Sequence, residues 1–326
     1  MRAIICTEPG GPEHFEWQEV TTPTPGPGEV LLDVAATAVN RADILQRQGN
    51  YAPPPGASQI LGLECSGVIS ALGPGVTTVE IGQEVTALLA GGGYAEKVAV
   101  PVGQLMSVPA GLDLVTAACL PEVACTVWSN IVMTAHLTEG DWLLIHGGGS
   151  GIGTMAIQVA RALGARVAVT AGSNAKLDIC ERLGAEIMIN YQEQDFVEVM
   201  NDVTGGRGVD VILDNMGAAY LERNVLALAR NGRLAIIGMQ GGSIAELNIN
   251  TLLRKNGTVH AASLRGRPES EKYAICQQVE RNIWPWVNAG LVIPVIGATL
   301  PLQDAAAAHQ LLESGDVSGK IVLTVL

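Results

Sequence analysis

A glycine-rich turn between an apolar strand and an amphipathic helix constrains this chain more than any other sequence feature. The segment at 142–153 reads WLLIHGGGSGIG, and the helical spacing of apolar residues continues at Ala156, Val159 and Leu163. Glycines allow a sharp turn, and they let backbone N–H groups at a helix N-terminus meet a pyrophosphate. Gly148 and Gly153 fit the first and last positions of the dinucleotide fingerprint, whereas Ser150 stands at the middle one. The turn alone is weak evidence for dinucleotide binding, so the secondary structure around it must be considered.

The context is a regular alternation of strands and helices. The sequence predicts strands at 142–146, 166–170, 186–189, 209–213, 233–237 and 258–263, and helices at 153–163, 174–183, 194–203 and 220–229. Such alternation is typical of a parallel sheet covered on both faces. We therefore predict an α/β, doubly wound, Rossmann-type dinucleotide-binding domain.

The first third of the chain has a different pattern. Short apolar strands at 30–36, 68–72 and 84–89 are separated by Gly/Pro clusters, with no helix expected between them. This pattern favours a barrel-like, mostly antiparallel domain. A helix at 271–289 and a strand at 320–325 are expected to return to it. We thus predict one domain from 1–122 and 267–326, with the dinucleotide-binding domain, 123–266, inserted in it.

The type of cofactor depends on the end of the second strand. NAD-binding domains usually carry Asp or Glu there, to bind the ribose 2′-hydroxyl. Residues 169–176 read VTAGSNAK and contain no acid. Ser173 can donate a hydrogen bond to a 2′-phosphate and Lys176 can supply charge, which predicts NADPH. The alternative is that Ser173 caps the next helix while Lys176 is only solvated.

Composition excludes several classes of function. The formal net charge is −13 and the pI is about 4.8, so general nucleic-acid binding is not expected. The N-terminal segment lacks the apolar run of a signal peptide and no apolar run reaches membrane-spanning length, so we expect a cytoplasmic protein without a membrane anchor. The six cysteines form no CxxC pair, which argues against zinc knuckles and disulfides.

Longer motifs give the chain a family resemblance over nearly its whole length. The most specific segments read NRADILQRQG at 40–49, PPPGAS at 53–58, ILGLE at 60–64, GGG at 91–93, TAGS at 170–173, ILD at 212–214, SLR at 263–265 and GKIVL at 319–323. In these segments the chain resembles the zinc-free quinone oxidoreductases of the medium-chain dehydrogenase/reductase superfamily, which include zeta-crystallin. The resemblance is strongest to the branch with the tumour-suppressor-inducible quinone reductase.

The resemblance implies a Rossmann domain inserted in a mainly β, GroES-like domain, with the active site in the interdomain cleft. It places Asn40, Asp43 and Tyr51 in the quinone pocket as catalytic-site residues. The residues that we expect to bind the cofactor are Thr126, Gly148, Ser150, Gly151, Ile152, Gly172, Ser173, Lys176, Tyr191, Asn215, Gly238, Met239, Leu264, Arg265 and Lys320. Leu45 departs from family members that carry a second pocket tyrosine, which affects the shape of the substrate rather than the reaction.

A catalytic zinc is not expected. Zinc-dependent members of the superfamily bind the metal with Cys and with the His of a Gly-His-Glu run, whereas this chain has Leu63 at that histidine and Asn40 near the first cysteine. Tetrahedral zinc needs three or four N or S ligands. The five histidines carry no motif, so His146 is expected only to hydrogen-bond locally. Glu64 is expected to tie strands together.

The sequence thus predicts an NADPH:quinone oxidoreductase that transfers hydride without a metal. Two alternatives stay open. An NADPH-dependent enone or enoyl-thioester reductase would use the same cofactor geometry, and a non-enzymatic, crystallin-like protein would bind NADPH only. An RNA-binding role is disfavoured by the acidic pI. The strand at 258–263 is expected at the sheet edge, where it would pair with a second copy in a homodimer.

Overall fold

The computed structural model describes residues 1–325, which form two compact units. The first unit contains Met1–Cys125, Leu264–Gly290 and the chain from Pro294 onward; the second contains Thr126–Ser263 and Leu291–Ile293. The units therefore divide at 125/126 and 263/264, close to the expected boundaries at 122/123 and 266/267.

The strands and helices are numbered in chain order. The strands are β1 Arg2–Cys6, β2 Phe15–Glu19, β3 Glu29–Val39, β4 Glu64–Leu72, β5 Glu84–Leu88, β6 Lys97–Pro101, β7 Leu105–Ser107, β8 Trp142–His146, β9 Arg166–Ala171, β10 Ile187–Asn190, β11 Val209–Asp214, β12 Leu228–Ile236, β13 Thr258–Ala261, β14 Ile296–Pro301 and β15 Lys320–Thr324. The α-helices are α1 Arg41–Arg47, α2 Leu114–Ala117, α3 Pro121–Val127, α4 Gly151–Ala162, α5 Asn174–Leu183, α6 Phe196–Val203, α7 Leu221–Ala227, α8 Ile249–Lys255, α9 Glu269–Asn282, α10 Trp284–Asn288 and α11 Ala305–Ser314.

The first unit is built on a mixed sheet in the order β14-β15-β3-β4-β5-β7, with β6 also paired to β3. Every pair is antiparallel except β14 with β15. Residues that face the core from β3, β4, β5 and β6 include Leu32, Ile69, Val85 and Val98. The expected antiparallel strands are present, and β3 and β4 are both longer than expected.

The first third of the chain also contains helices, so the expectation of none was wrong there. Asn40 lies at the N-cap of α1, and the Asp43 carboxylate accepts a hydrogen bond from the Asn40 backbone N–H at 2.8 Å. This is one half of a capping box, with an acid three residues after the cap. The Asn-x-x-Asp spacing was visible in the sequence and predicts a helix start.

The second unit has six parallel strands in the order β10-β9-β8-β11-β12-β13. All residues of β8 and β11 are buried, as expected of strands covered on both faces. Counted within the sheet, the order is 3-2-1-4-5-6, the doubly wound arrangement. The predicted fold is confirmed, and β13 is at the edge as expected.

Two predicted helices have different bounds in the structure. The helix expected at 271–289 is two helices, because Pro285 lacks a backbone N–H and its ring clashes with the preceding turn. The helix expected at 220–229 ends at Ala227, and β12 begins at Leu228 rather than at 233. An irregularity in the β11–β12 pairing, with Asn231 at φ 62°, lengthens this strand.

The segment Leu114–Thr134, which contains α2, α3 and a π-helical turn at Trp128–Thr134, has the length and composition to cross a membrane, but 72% of its most apolar window is buried inside the protein. Buried core helices share this property. Within residues 1–325, no group of three or more His, Cys, Asp or Glu side chains is arranged to hold a metal ion.

Candidate functional site

The carboxyl ends of five parallel strands bring most of the expected cofactor residues to one edge of the second unit's sheet. Gly148 follows β8, Gly172 follows β9, Tyr191 follows β10, Asn215 follows β11 and Gly238 follows β12. The chain winds outward in both directions from the neighbours β8 and β11. Ligands of doubly wound sheets bind at such a switch point, outside the carboxyl ends of the strands.

The glycine-rich turn after β8 has no room for side chains at two of its glycines. A Cβ at Gly153 would lie 2.4 Å from the Gly147 carbonyl oxygen, and one at Gly148 would lie 2.9 Å from the Cys180 sulfur. Both positions therefore require glycine for the turn and α4 to pack closely. Ser150, at the middle fingerprint position, is the N-cap of α4, and its Oγ accepts from the Gly153 N–H at 3.0 Å. Its hydroxyl thus has a capping role in addition to any contact with a ligand.

Gly151 and Ile152 form the first turn of α4 immediately after this cap. The backbone N–H groups of a helix's first turn have no partner within the helix, and the helix dipole favours an anion beside them. Thr126, at the start of the second unit, is buried, and its carbonyl accepts from the Asn130 amide at 2.8 Å.

Lys176 and Tyr191 lie against the turns that follow β8 and β9. A Cβ at Gly149 would lie 3.1–3.2 Å from the Lys176 side chain, and one at Gly172 would lie 2.4 Å from the Tyr191 hydroxyl. Ser173 has the N-cap position of α5, but its side chain makes no capping hydrogen bond. The alternative in which the Ser173 hydroxyl is used as a cap is therefore not what the structure shows.

Asn215 presents a buried acceptor at this edge. Its side-chain oxygen is buried and has no hydrogen-bond partner within residues 1–325. A Cβ at Gly238 would lie 2.9 Å from the Asn215 carbonyl oxygen, so the chain after β12 passes close to Asn215. Met239, the next residue, is 50% exposed. A buried acceptor without a partner, beside a glycine-rich turn, fits a ligand with amide or hydroxyl donors, as a dinucleotide has.

Asp214 supports this loop, a role that was not predicted from the sequence. Its carboxylate accepts from the backbone N–H groups of Met216 at 2.8 Å and Gly217 at 3.0 Å. Burial raises the pKa of Asp214 to about 6, while the hydrogen bonds from the two backbone N–H groups oppose the rise. An acid that directly follows a buried strand was the available sequence signal.

The first unit holds a second polar group, here called the Asn40 cluster, which consists of Asn40, Asp43, Glu64 and Lys320. The Lys320 ammonium forms an ion pair with Glu64 at 2.8 Å and donates to the Asn40 Oδ1 at 2.6 Å and to the Val39 carbonyl at 3.0 Å. Its three donors thus have three acceptors. Lys320 was expected to bind cofactor, but in the structure it fixes Asn40 and Glu64.

Glu64 is completely buried and joins three parts of the first unit. One carboxylate oxygen accepts from the Asn40 amide at 2.9 Å, and the other accepts from the Glu122 backbone N–H at 2.9 Å. The expectation that Glu64 ties strands together is confirmed, because Lys320 is on β15 and Glu64 on β4. The Asn40 amide is consequently held on both of its ends.

Asp43 is also completely buried, and both of its oxygens accept backbone hydrogen bonds, from Asn40 at 2.8 Å and from Gly62 at 3.0 Å. Burial raises its pKa to about 6, against the hydrogen bonds and the Lys320 charge, which lower it. With no exposed surface, Asp43 can act on a substrate only through Asn40 and the chain at Gly62.

Tyr51 is half-buried beside Arg265, whose guanidinium carbon lies 5.3 Å from the centre of the Tyr51 ring. Arg265 and Leu264 belong to the first unit and are buried. Leu63, at the position where zinc-dependent relatives have histidine, is buried in the same unit.

His146 is buried between Thr170 at 3.1 Å and Asn224 at 2.7 Å, and burial lowers its pKa to about 4, so it is a neutral packing residue.

Two family models match parts of the chain. Residues 26–110 match the model of the alcohol dehydrogenase GroES-like domain, and residues 151–279 match that of the zinc-binding dehydrogenases. A 2-haloacrylate reductase of Burkholderia sp is 32% identical over 99% of this chain and 98% of its own, and a quinone oxidoreductase of Lama guanicoe is 30% identical over 99% and 97%. The structure of Escherichia coli quinone oxidoreductase complexed with NADPH superimposes with a TM-score of 0.90 at 28% identity, covering 99% of this chain and 100% of that one.

Proposed function

Because the chain belongs to the quinone oxidoreductase family of the medium-chain dehydrogenase/reductase superfamily, we propose that it is an NADPH-dependent, metal-independent quinone reductase. The observation that carries the proposal is the edge of the parallel sheet described above. It combines a glycine-rich turn, a lysine beside that turn and the orphaned Asn215 acceptor.

The second unit supplies the cofactor site in this proposal. Gly148, Gly151 and Ile152 receive the pyrophosphate at the N-terminus of α4. The 2′-phosphate is bound by Gly172, Ser173, Lys176 and Tyr191, while Thr126, Asn215, Gly238 and Met239 contact the rest of the dinucleotide. Asn215 Oδ1 would accept from an amide or hydroxyl of the bound cofactor, which removes the cost of a buried acceptor without a partner.

The first unit supplies the groups that orient the acceptor. Bound NADPH supplies the hydride, so the task of the protein is to position the acceptor and to exclude water. Tyr51 offers a ring surface and a hydroxyl. Asn40 is held by Lys320 and Glu64, and Asp43 fixes the start of α1. A reduced quinone takes its protons from solvent, so this mechanism needs no buried general acid.

The residues also support metal independence. A catalytic zinc needs at least three protein ligands plus an open position. At the corresponding positions stand Leu63 and Asn40, and the Asn40 amide is already bonded to Lys320 and Glu64. The Lys320 ammonium places a fixed positive charge in this cluster. Activity is therefore expected to persist after treatment with a strong chelator.

A second candidate function is the reduction of an activated C=C bond. The relative that is named a 2-haloacrylate reductase favours it, and hydride delivery to a conjugated carbonyl requires the same cofactor geometry. A third, non-enzymatic role would retain NADPH binding alone. In each case a cytoplasmic location stays a prediction.

The oxidation of NADPH, followed at 340 nm, separates these functions. Purified protein is mixed with 1,4-naphthoquinone, with a neutral enone or with 2-chloroacrylate, each with NADPH and with NADH. Turnover with the quinone and a preference for NADPH support the proposal. Turnover with the alkenes alone favours the second candidate, and NADPH binding without any turnover contradicts both enzymatic functions.

We also propose a homodimer formed through β13. One side of this strand has no partner strand within residues 1–325, and an open edge invites pairing with another copy. Helix α8 lies just before it in the chain and exposes Ile249 at 69% and Leu253 at 68%. An isologous contact at this edge would join two six-stranded sheets and cover apolar surface.

Sedimentation velocity at micromolar concentration tests the dimer. Wild-type protein and an Ile81→Asp control, which changes an exposed residue of the first unit, are expected to sediment as dimers. Leu253→Asp is expected to shift the distribution towards monomer. A monomeric wild-type protein, or a Leu253→Asp variant as dimeric as the control, would contradict this interface.

A further inference from the structure

The first unit contains an open cavity of about 500 Å³ that none of the residues assigned above to the acceptor or the cofactor lines. Three segments form it: the turn at 26–29 before β3, the chain at 101–104 at the end of β6, and the N-terminal part of α9. The Val102 backbone N–H donates to the Gly28 carbonyl at 2.9 Å, which joins the first two segments. The cavity is therefore a feature of the first unit alone.

Gln104 gives this cavity a buried acceptor without a partner. The residue lines the cavity and is 3% exposed, and its Oε1 accepts no hydrogen bond within residues 1–325. A buried carbonyl oxygen without a donor is costly, and a bound molecule that donates a hydrogen bond removes this cost. Gln104 thus indicates a ligand with N–H or O–H donors.

The charged side chains that line the cavity are two carboxylates. Glu29 uses one oxygen to accept from the Gly26 backbone N–H at 2.8 Å, and its other oxygen has no partner in the described part of the chain. The Glu269 carboxylate, on α9, forms no ion pair or hydrogen bond there either. Among residues 1–325, no Lys, Arg or His lines the cavity. Two carboxylates without a cation favour a ligand with positive charge.

Lys272 is on the same helix, but it does not neutralise Glu269 by direct contact. It is 5% exposed, does not line the cavity and forms no ion pair within residues 1–325. Burial lowers the pKa of Lys272, and the charge of Glu269 opposes the change. The Glu269 carboxylate consequently stays available to a cation that enters the cavity.

An aromatic ring forms part of the wall. A Cβ at Gly103 would lie 3.0–3.2 Å from the Tyr273 side chain, so the ring packs over Gly103. Tyr273 lines the cavity and is 47% exposed. Aromatic faces attract organic cations that approach within about 6 Å of the ring. This wall favours an organic cation over a hydrated metal ion.

We propose that this cavity binds a small organic dication of the alkyldiammonium class, at a site separate from that of the reductase. The two ammonium groups pair with Glu29 and Glu269, and one of them also donates to Gln104 Oε1. The alkyl chain between them packs against Tyr273. The formal net charge of −13 adds a general attraction for cations.

Titration calorimetry with 1,4-diaminobutane at physiological ionic strength tests the site. The variants are Gln104→Leu, Glu29→Gln and the control Glu84→Gln, which removes an exposed carboxylate of β5 outside the cavity. A hydrogen bond to a charged donor changes Kd by roughly tenfold to a hundredfold. We expect Kd to rise at least about tenfold in Gln104→Leu, about twofold to fivefold in Glu29→Gln because that pair is partly exposed, and not at all in the control.

Two further measurements separate a specific site from general attraction. Tetramethylammonium has charge but no N–H donor, and Mg²⁺ has two charges but no alkyl chain, so both are expected to bind more weakly than the diamine. The unliganded Gln104→Leu variant is expected to melt at or above the wild-type temperature, since it loses an acceptor that had no partner. Weaker binding by this variant then reflects the site rather than unfolding.

Several outcomes overturn the inference. Wild type that does not bind the diamine, or that binds Mg²⁺ equally well, shows only the attraction of an acidic surface. An unchanged Kd in Gln104→Leu shows that Oε1 is bonded to water rather than to the ligand. A Kd that rises equally in Glu29→Gln and Glu84→Gln places the diamine elsewhere. Should Gln104→Leu not fold, Glu29→Gln must still raise Kd above the control. NADPH oxidation tests the proposed function independently of all these results.

Discussion

The Asn40 cluster and the carboxyl edge of the parallel sheet are both polar, but they differ in hydrogen bonding. The polar side chains of the cluster have partners within the protein, whereas an acceptor at the sheet edge has none. In the cluster, Lys320 has an acceptor for each donor, and Glu64 and Asp43 are fully buried. At the sheet edge, Asn215 has an unused buried acceptor and Ser173 does not cap its helix. The bonded side chains of the cluster connect parts of the first unit, whereas the Asn215 acceptor is available for a ligand.

The two lysines that sequence analysis assigned to the cofactor illustrate this difference. Lys320 is 5% exposed and forms an ion pair with Glu64, while the stem of Lys176 lies over Gly149 in the glycine-rich turn after β8. Lys176 follows the TAGS motif and Lys320 is part of the GKIVL motif. The residue type alone does not show which of the two lysines is free to bind a cofactor.

Replacing Lys320 should affect stability most. Lys320→Met leaves the buried Glu64 carboxylate without its partner, which typically costs about 3–5 kcal/mol. Lys97→Met is the matched control, because its partner Asp33 is half exposed and exposed pairs contribute about 0–1 kcal/mol. Urea unfolding measures both free energies. Similar losses in the two variants would show that the cluster is not the rigid element described here.

Replacing Lys176 should change cofactor choice while leaving stability nearly unaltered. Loss of a charge-assisted phosphate contact costs roughly 1.5–3 kcal/mol, or about tenfold to over a hundredfold in Kd. Lys176→Ala is expected to weaken NADPH by this factor and NADH very little, with Arg182→Ala on the same helix as the control. Titration calorimetry gives both Kd values. An equal increase in the Kd values of NADPH and NADH would show that Lys176 does not bind the 2′-phosphate.

Each of the two regions contains a buried carboxylate that accepts hydrogen bonds from two backbone N–H groups. These carboxylates should make the stability of the folded state depend on pH. Asp43 and Asp214 both have a pKa raised to about 6. A raised pKa means that the folded state holds the proton more tightly than the unfolded state. The resulting stability is present below about pH 4 and is lost as pH rises through about 6.

Comparison of wild type with Asp43→Asn isolates this contribution. The excess stability of wild type over the variant should decrease as the pH rises from 4 to 7, by about 2–3 kcal/mol for a shift of about two units, and stay level above pH 7. Urea midpoints across this range measure it. An excess that increases with pH would mean that the hydrogen bonds, rather than burial, dominate the Asp43 pKa.

The smallest effect is expected at Tyr51. If Tyr51 only positions the acceptor, Tyr51→Phe keeps most of kcat, and Tyr51→Ala loses activity mainly through KM. An essential general acid would contribute about 10²–10⁴ in rate. Steady-state kinetics with naphthoquinone distinguish the two. A loss of that size in the kcat of folded Tyr51→Phe would assign Tyr51 a proton-transfer role, and an enone-type acceptor would become the better interpretation.

The sequence predicted the parallel sheet well, because each strand of the second unit is a short apolar run followed by a turn and a helix. It did not predict α1, although Asn40 and Asp43 have the spacing of a helix cap. The family resemblance assigned both residues to the substrate pocket, so their position at a helix start was overlooked. The role of Lys320 depends on β15 pairing with β3, which brings together residues 280 positions apart. No local pattern encodes such a contact.

One chelator-treated sample tests metal independence and cofactor preference together. Zinc is determined by elemental analysis, NADPH and NADH are titrated by calorimetry, and 1,4-naphthoquinone is then added while absorbance at 340 nm is followed. We expect far less than one zinc per chain, NADPH bound at least about tenfold more tightly than NADH, and oxidation of NADPH when the quinone is added. Equal affinity for the two cofactors, or oxidation that occurs only after zinc is restored, would contradict it.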